Sequence, residues 1–174
     1  MTLVHLVIAL ALVEFFVFLN AVGRARDTYH VPAPATTGNE VFERYFRVQM
    51  NTLEQLIIFV PAILLFARYV HPLVAAALGL VFILGRWLYF RAYVRDPKRR
   101  GTGFLIAVIP NSLLLLGGLI GALITLIRYP GLYWALPAAR RRHAMTATGT
   151  SEAATMLKVT RPKFCFTNGM LPNR

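Results

Sequence analysis

The sequence predicts an all-α membrane protein built as a bundle of four transmembrane helices. Three observations predict it. Hydrophobic residues make up 57% of the 174 residues and charged residues only 15%. Soluble domains carry about 25% charge, so this chain holds more apolar surface than a core of its size can hide. Four long apolar runs follow one another, each able, alone or with a polar extension, to cross about 30 Å of hydrocarbon. The basic residues gather at the ends of those runs, where interfacial arginines and lysines belong.

The first run is Leu3 to Val22 and carries Glu14 and Asn20 inside it. It lacks a positive n-region and a clear small-residue cleavage site, and further apolar runs follow, so it reads as a membrane helix rather than a signal peptide. Residues 23–39 hold Pro32, Pro34 and Gly38 and read as a loop. Asn39 is a suitable helix N-cap, with Glu40 and Glu43 favourable in the first turn. The second helix is expected from about Glu40 to Tyr69, polar in its first half and apolar from Leu56 to Ala67, with Pro61 as a kink point. The apolar half alone is too short to span, so the polar half must face protein at or near membrane depth. The third run, Leu73 to Phe90, is interrupted only by Arg86, and the short connection before it makes a helical hairpin. A basic loop is expected over 91–103. The fourth run, Phe104 to Ile127, contains Pro110 and Asn111. Residues 1–128 form the membrane domain on this reading, and 129–174 a basic, mobile C-terminal tail.

The net charge of +12 admits nucleic acid or an anionic membrane surface as a partner. The placement of the charges at the ends of apolar runs selects the membrane, and no nucleic-acid-binding motif is present. The single cysteine, Cys165, cannot form an intrachain disulfide. His5, His30, His71 and His143 are scattered, so no metal site is expected. Four spans put both termini on one side. The first and third loops carry eight basic residues (Arg24, Arg26, Arg44, Arg91, Arg95, Lys98, Arg99, Arg100) against five opposite (Arg68, Arg128, Arg140, Arg141, Arg142), before the distal tail is counted. The positive-inside rule places those two loops in the cytoplasm.

Two clusters carry chemistry. Arg47, Asn51 and Glu54 are spaced i, i+4, i+7 and form one helical stripe flanked by Arg44 and Gln55. A charge at the membrane centre costs roughly 2.5–3.5 kcal/mol on the insertion scale, so the stripe needs partners. One reading is an Arg47–Glu54 link that ties the bundle together. The other is a polar pocket for a zwitterion, with arginine suited to a carboxylate and glutamate to an ammonium. The second cluster is Arg86, Tyr89, Tyr93 and Arg100, with the two tyrosines on one face. It reads either as an interfacial aromatic belt with snorkelling arginines or as the second wall of that pocket.

The stretch from Phe42 to Glu54, Phe-Glu-Arg-Tyr-Phe-Arg-Val-Gln-Met-Asn-Thr-Leu-Glu, resembles the signature of the MAPEG family, the membrane-associated proteins in eicosanoid and glutathione metabolism. Ala35-Thr36-Thr37-Gly38 fits the loop before it. Gly85-Arg86-Trp87-Leu88-Tyr89, then Tyr93 and the basic segment to Arg100, resemble the second family block. The resemblance covers residues 1–128.

The resemblance implies a four-helix bundle that assembles as a homotrimer and binds glutathione between subunits. It assigns Arg47, Asn51, Glu54, Tyr89 and Tyr93 to glutathione binding from one subunit, and Arg26 and Gln49 from its neighbour. It gives Arg100 the role of stabilising the glutathione thiolate. The trimer also offers places to bury Glu14, Asn20 and the polar stripe. Asp27 stands where the leukotriene-forming branch of the family has an arginine, and Gln55 where it has a glutathione-contacting tyrosine. The first departure argues against leukotriene synthesis and the second removes one glutathione contact. Retention of Arg47, Asn51, Glu54, Tyr93 and Arg100 implies a glutathione transferase, with glutathione-dependent peroxidase activity as a variant of the same thiol chemistry. The implied partners are the lipid bilayer, a lipophilic small-molecule substrate and glutathione as co-substrate. The alternative is a non-catalytic lipid- or glutathione-binding scaffold of the same family. A small transporter fits less well, because paired broken-helix halves are absent from the sequence.

Overall fold

The structure is a computed structural model that describes residues 1–128, which form one unit. The tail 129–174, with Trp134, Arg140 to Arg142, His143 and Cys165, lies outside the described residues. Four helices carry the unit: α1 (Thr2–Thr28), α2 (Glu40–Tyr69), α3 (Pro72–Arg95) and α4 (Gly101–Arg128). Each is long and apolar enough to cross a membrane.

Two helix ends differ from the expectation for the same physical reason. The loop expected to begin at residue 23 begins at Tyr29 instead, because α1 continues through Gly23. Arg26 lies in its last turn, where a cation complements the helix dipole, and the Thr28 hydroxyl donates to the Arg24 carbonyl at 2.8 Å. The basic loop expected over 91–103 is mostly helical. α3 runs on to Arg95, again with arginine in the last turn. Asp96 then accepts from the Lys98 amide at 3.0 Å and opens a short 3₁₀ turn, Pro97–Arg100, that leads directly into α4.

The start of α2 is as expected. The Asn39 side chain accepts from the amides of Val41 and Phe42, and the Glu43 carboxylate reaches back to the Gly38 amide at 3.0 Å. Gly38 has φ +129°, a backbone conformation that favours glycine. α2 continues through Pro61. The Val70–His71 connection is tight because the His71 ring nitrogen Nδ1 caps α3 by accepting from the Leu73 amide.

α2 and α3 are central, since each packs on both α1 and α4. Their shared core is apolar and built with many small residues, among them Ala11, Ala62, Ala67, Ala75, Ala76 and Ala107. Phe59 and Phe82 stack within it at 4.1 Å between centroids. Small residues let helices approach closely where lipid provides no hydrophobic drive between them. Gly85 on α3 and Gly103 on α4 mark the closest approach. A Cβ on Gly85 would fall 2.5 Å from the Ala107 amide nitrogen, and one on Gly103 would fall 2.7 Å from the Tyr89 Cα. The outer faces carry exposed Leu, Ile, Val and Phe, as a lipid-facing surface requires.

Polar groups inside the spans are handled in different ways. Asn20 is exposed on the single chain, and its Nδ2 donates to the Phe16 carbonyl at 2.8 Å. Glu14 is buried, 9% exposed. Asn111, beside the buried Pro110, donates to Gln55 Oε1 at 2.9 Å and so ties α4 to α2.

The glycine contact predicts a local outcome. Gly103→Val should lower stability by about 2 kcal/mol, within the range of overpacked cores, because backbone cannot give way as a flexible side chain can. Gly23→Ala, with nothing within 4 Å of the added carbon, should leave stability unchanged or raised. Thermal unfolding in mild detergent compares them; equal melting of both variants would contradict the packing described.

Candidate functional site

The polar stripe on α2 is organised by one residue on α3. Arg86 is fully buried at 0% exposure. Its Nη1 donates to Asn51 Oδ1 at 3.0 Å and its Nη2 to Thr52 Oγ1 at 2.6 Å. The Thr52 hydroxyl passes its own proton to the Val48 carbonyl at 2.7 Å. Guanidinium only donates, so the Asn51 oxygen must face it and the Asn51 amide nitrogen must face away. That nitrogen donates to Glu54 Oε2 at 3.1 Å. The relay from Arg86 through Asn51 to Glu54 replaces the Arg47–Glu54 link that the spacing allows. The ion pairs formed among the described residues are Arg44 with Glu40, and Arg99 with Asp96 at 3.6 Å.

From Arg86 a column of two rings, closed by a second cation, rises toward the end of the bundle. The Arg86 guanidinium lies 4.5 Å from the Tyr89 ring centre. Tyr89 and Tyr93 are 5.5 Å apart, and the Arg100 guanidinium sits 5.5 Å from the Tyr93 ring. Arg100 owes this position to the 3₁₀ turn, which folds the basic segment back over the end of α3.

This column and the α2 stripe enclose a cavity of about 390 Å³ lined by Arg47, Asn51, Tyr89, Arg100, Gly101 and Phe104. Of the residues singled out from sequence, four therefore meet: Arg47, Asn51, Tyr89 and Arg100. Tyr93 lines an adjoining hollow of about 450 Å³ that shares Arg47 and includes Glu40 and Glu43. Glu54 is linked to the site through Asn51 but is exposed on the outer face of α2. Gln49 points elsewhere and is buried within its own chain, 7% exposed. Arg26 also lies away from the cavity. Its Nη1 donates to the carbonyls of Val31 and Ala35 at 3.1 and 2.8 Å, and its guanidinium covers the Phe42 ring, so it clasps the loop before α2.

Two contributors escape a reading of sequence. Phe104 supplies the apolar wall and Gly101 the floor at the start of α4, and neither carries a chemical signal. Arg86 does carry one, a lone charge well inside an apolar run, and it acts as the support of the site rather than as a wall of it. The cavity combines two guanidinium groups, an amide and a phenol beside an aromatic face. That chemistry suits a small ligand carrying two negative charges, at least one of them a carboxylate.

Comparison with known proteins follows the same residues. The MAPEG family pattern matches residues 3–122. An uncharacterized protein of Synechocystis is 48% identical over 118 residues, 68% of this chain and 86% of its own length. Human microsomal glutathione S-transferase 2 is 42% identical over 104 residues, 60% of this chain and 71% of that protein. Rat leukotriene C4 synthase is 37% identical over 76 residues, 44% of this chain and 51% of that protein. With a match over most of its length and its four membrane-spanning helices, the chain belongs to the MAPEG family.

Proposed function

We propose that this protein is a membrane-bound glutathione transferase that joins the glutathione sulfur to lipophilic electrophiles. The observation that carries the reading is the convergence of Arg47, Asn51, Tyr89 and Arg100 on one cavity at the polar end of the spans. The relatives named for glutathione transfer and leukotriene C4 synthesis support the class of chemistry.

Glutathione carries two carboxylates, one ammonium and one thiol. Arg47 receives a carboxylate through its fork of donors. Glu54 attracts the ammonium, and Asn51, held by Arg86, presents its amide beside it. Tyr89 and Tyr93 pack against the peptide. Arg100 faces the sulfur. A thiol of pKa about 8.5 is mostly protonated at neutral pH, and an adjacent guanidinium favours the thiolate. Each unit of that shift requires about 1.4 kcal/mol, which one desolvated ion pair supplies. The thiolate attacks the electrophilic carbon, a C–S bond forms, and the electron pair of the broken bond leaves with the displaced group. The bilayer delivers the electrophile past Phe104, and holding both reactants replaces a bimolecular encounter.

The site belongs to a homotrimer. Arg47 and Glu54 are both exposed on a helix that spans the membrane, and Glu54 stands midway along it. Charges there cost roughly 2.5–3.5 kcal/mol each against lipid, whereas a neighbouring subunit covers them. Arg26 uses Nη1 for its own loop, and its remaining N–H groups serve the ligand across that interface. Gln49 acts there through the packing of its own helix.

Three outcomes test the reading. Cross-linking or native mass spectrometry in mild detergent should give three subunits; a monomer that binds glutathione at full affinity would contradict the shared site. In calorimetric titration, Arg47→Ala and Glu54→Ala should each lose about 1.5–3 kcal/mol of glutathione binding, the value of a charge-assisted contact. Unchanged affinity in both, with the trimer intact, would overturn it. Arg100→Ala should lower turnover more than it raises the half-saturation constant for glutathione, because the contact belongs to the reactive thiolate. Removing the cation disfavours the thiolate, so its ultraviolet absorbance should titrate at higher pH in this variant. Effects no larger than those of Lys98→Ala would remove Arg100 from the mechanism. Glutathione binding with no conjugation or peroxide reduction by any electrophile tested would favour the scaffold reading.

A further inference from the structure

The basic segment at the end of α3 divides between two faces of the molecule. Arg100 turns toward the polar cavity. Arg91, Arg95 and Arg99 turn away from it and line a separate hollow of about 660 Å³ with Leu88 and Asp96. All three arginines are exposed. Asp96 approaches Arg99 Nε at 3.6 Å and offsets one positive charge, leaving the hollow with a surplus of two.

The hollow continues an apolar track. Leu80, Leu84 and Leu88 are exposed at successive helical turns of α3, and Arg91 and Arg95 extend the same stripe. From Leu80 to Arg91 the helix rises roughly 16 Å, about the length of an acyl chain. Trp87 flanks the junction, exposed at the lipid surface with the Arg91 guanidinium 5.9 Å from its ring. An exposed apolar stripe of acyl length that ends in a hollow ringed by guanidinium groups suits a phospholipid lying along the helix with its phosphate among the arginines. A zwitterionic headgroup brings its own cation into the cluster, whereas an anionic one does not, so the charge surplus selects the anionic kind. The proposed subunit contacts lie on α2 and at the end of α1, and this face of α3 carries exposed apolar side chains, as a lipid-facing surface does.

We infer that Arg91, Arg95 and Arg99, above the Leu80–Leu84–Leu88 track, form a binding site for a single anionic phospholipid. This site is independent of the glutathione reading and holds whether or not the protein is catalytic.

Trp87 is one of two tryptophans in the chain, the other being Trp134. In the full-length Trp134→Phe protein, Trp87 alone reports on its neighbouring lipids. Reconstituted in phosphatidylcholine vesicles with a minor fraction of phosphatidylglycerol, its fluorescence is quenched by brominated acyl chains placed on one lipid or the other at equal mole fraction. Brominated phosphatidylglycerol should quench severalfold more strongly, because the two surplus positive charges favour an anionic headgroup. The preference should vanish in the Arg91→Gln, Arg95→Gln, Arg99→Gln triple variant and persist in Arg68→Gln, Lys98→Gln, which removes charge elsewhere. Should the triple variant not fold, Arg95→Gln alone should at least halve the preference. Equal quenching by both lipids would overturn the site, as would a preference that survives these substitutions. So would its loss on adding millimolar inorganic phosphate but not sodium chloride of matched ionic strength, which marks a soluble-anion site instead.

Discussion

A guanidinium held away from all solvent, where α3 crosses α2, governs the rest of the molecule. Arg86 is fully buried. In hydrocarbon an isolated charge is not tolerated, and a buried one persists only when its donors are met. Asn51 and Thr52 on α2 meet two of them, and the Tyr89 ring lies 4.5 Å from the guanidinium. Two helices are therefore tied together at one side chain. The polar half of α2 lies at membrane depth because Arg86 gives it partners, and Arg86 is buried because α2 is polar there.

Order spreads outward from this point. Because guanidinium can only donate, the Asn51 amide has a single orientation, and Glu54 receives its N–H as a result. The ring of Tyr89 is pressed between Arg86 and the α3–α4 contact, where Gly103 allows backbone against backbone. Tyr93 and Arg100 continue the column to the mouth of the cavity. The cavity walls are thus set by packing in the membrane interior, and a ligand meets donors that are already oriented.

Much of this was readable in the sequence, and the exceptions have causes. Apolar run length located the four spans, because only a helix satisfies its own backbone in lipid. The Asn39 cap and the acidic first turn of α2 were visible as a local pattern. Hydropathy misplaced the ends of α1 and α3, since arginine ends an apolar run but suits the last turn of a helix. The stripe Arg47, Asn51, Glu54 was legible as one face of a helix. Its pairing was not, because the partner of Asn51 lies 35 residues away on α3. Spacing along α2 allowed an Arg47–Glu54 link, and only tertiary contact could introduce Arg86 as the competitor. Arg26 presents a similar case: its carbonyl partners arise from the fold of the loop after α1, which no periodicity encodes. Leu80, Leu84 and Leu88 carried no signal beyond hydrophobicity until the three arginines were seen to share their side of α3.

The dependence on Arg86 is open to a direct measurement: a double-mutant cycle on unfolding stability with Thr52→Val and Arg86→Leu. Thr52 is buried at 1% exposure and does not line the cavity, so the cycle reads the interhelical bond without touching the ligand. Each single change leaves the other partner buried and unmatched, which is costly. Once Arg86 is gone, Thr52→Val has no guanidinium to strand. The two losses should therefore fall short of additive by about 1–2 kcal/mol, the size of coupling found between groups in one buried network. Strict additivity would contradict the account, because it would mean that Arg86 and Thr52 contribute independently and that α2 is held in place by something else.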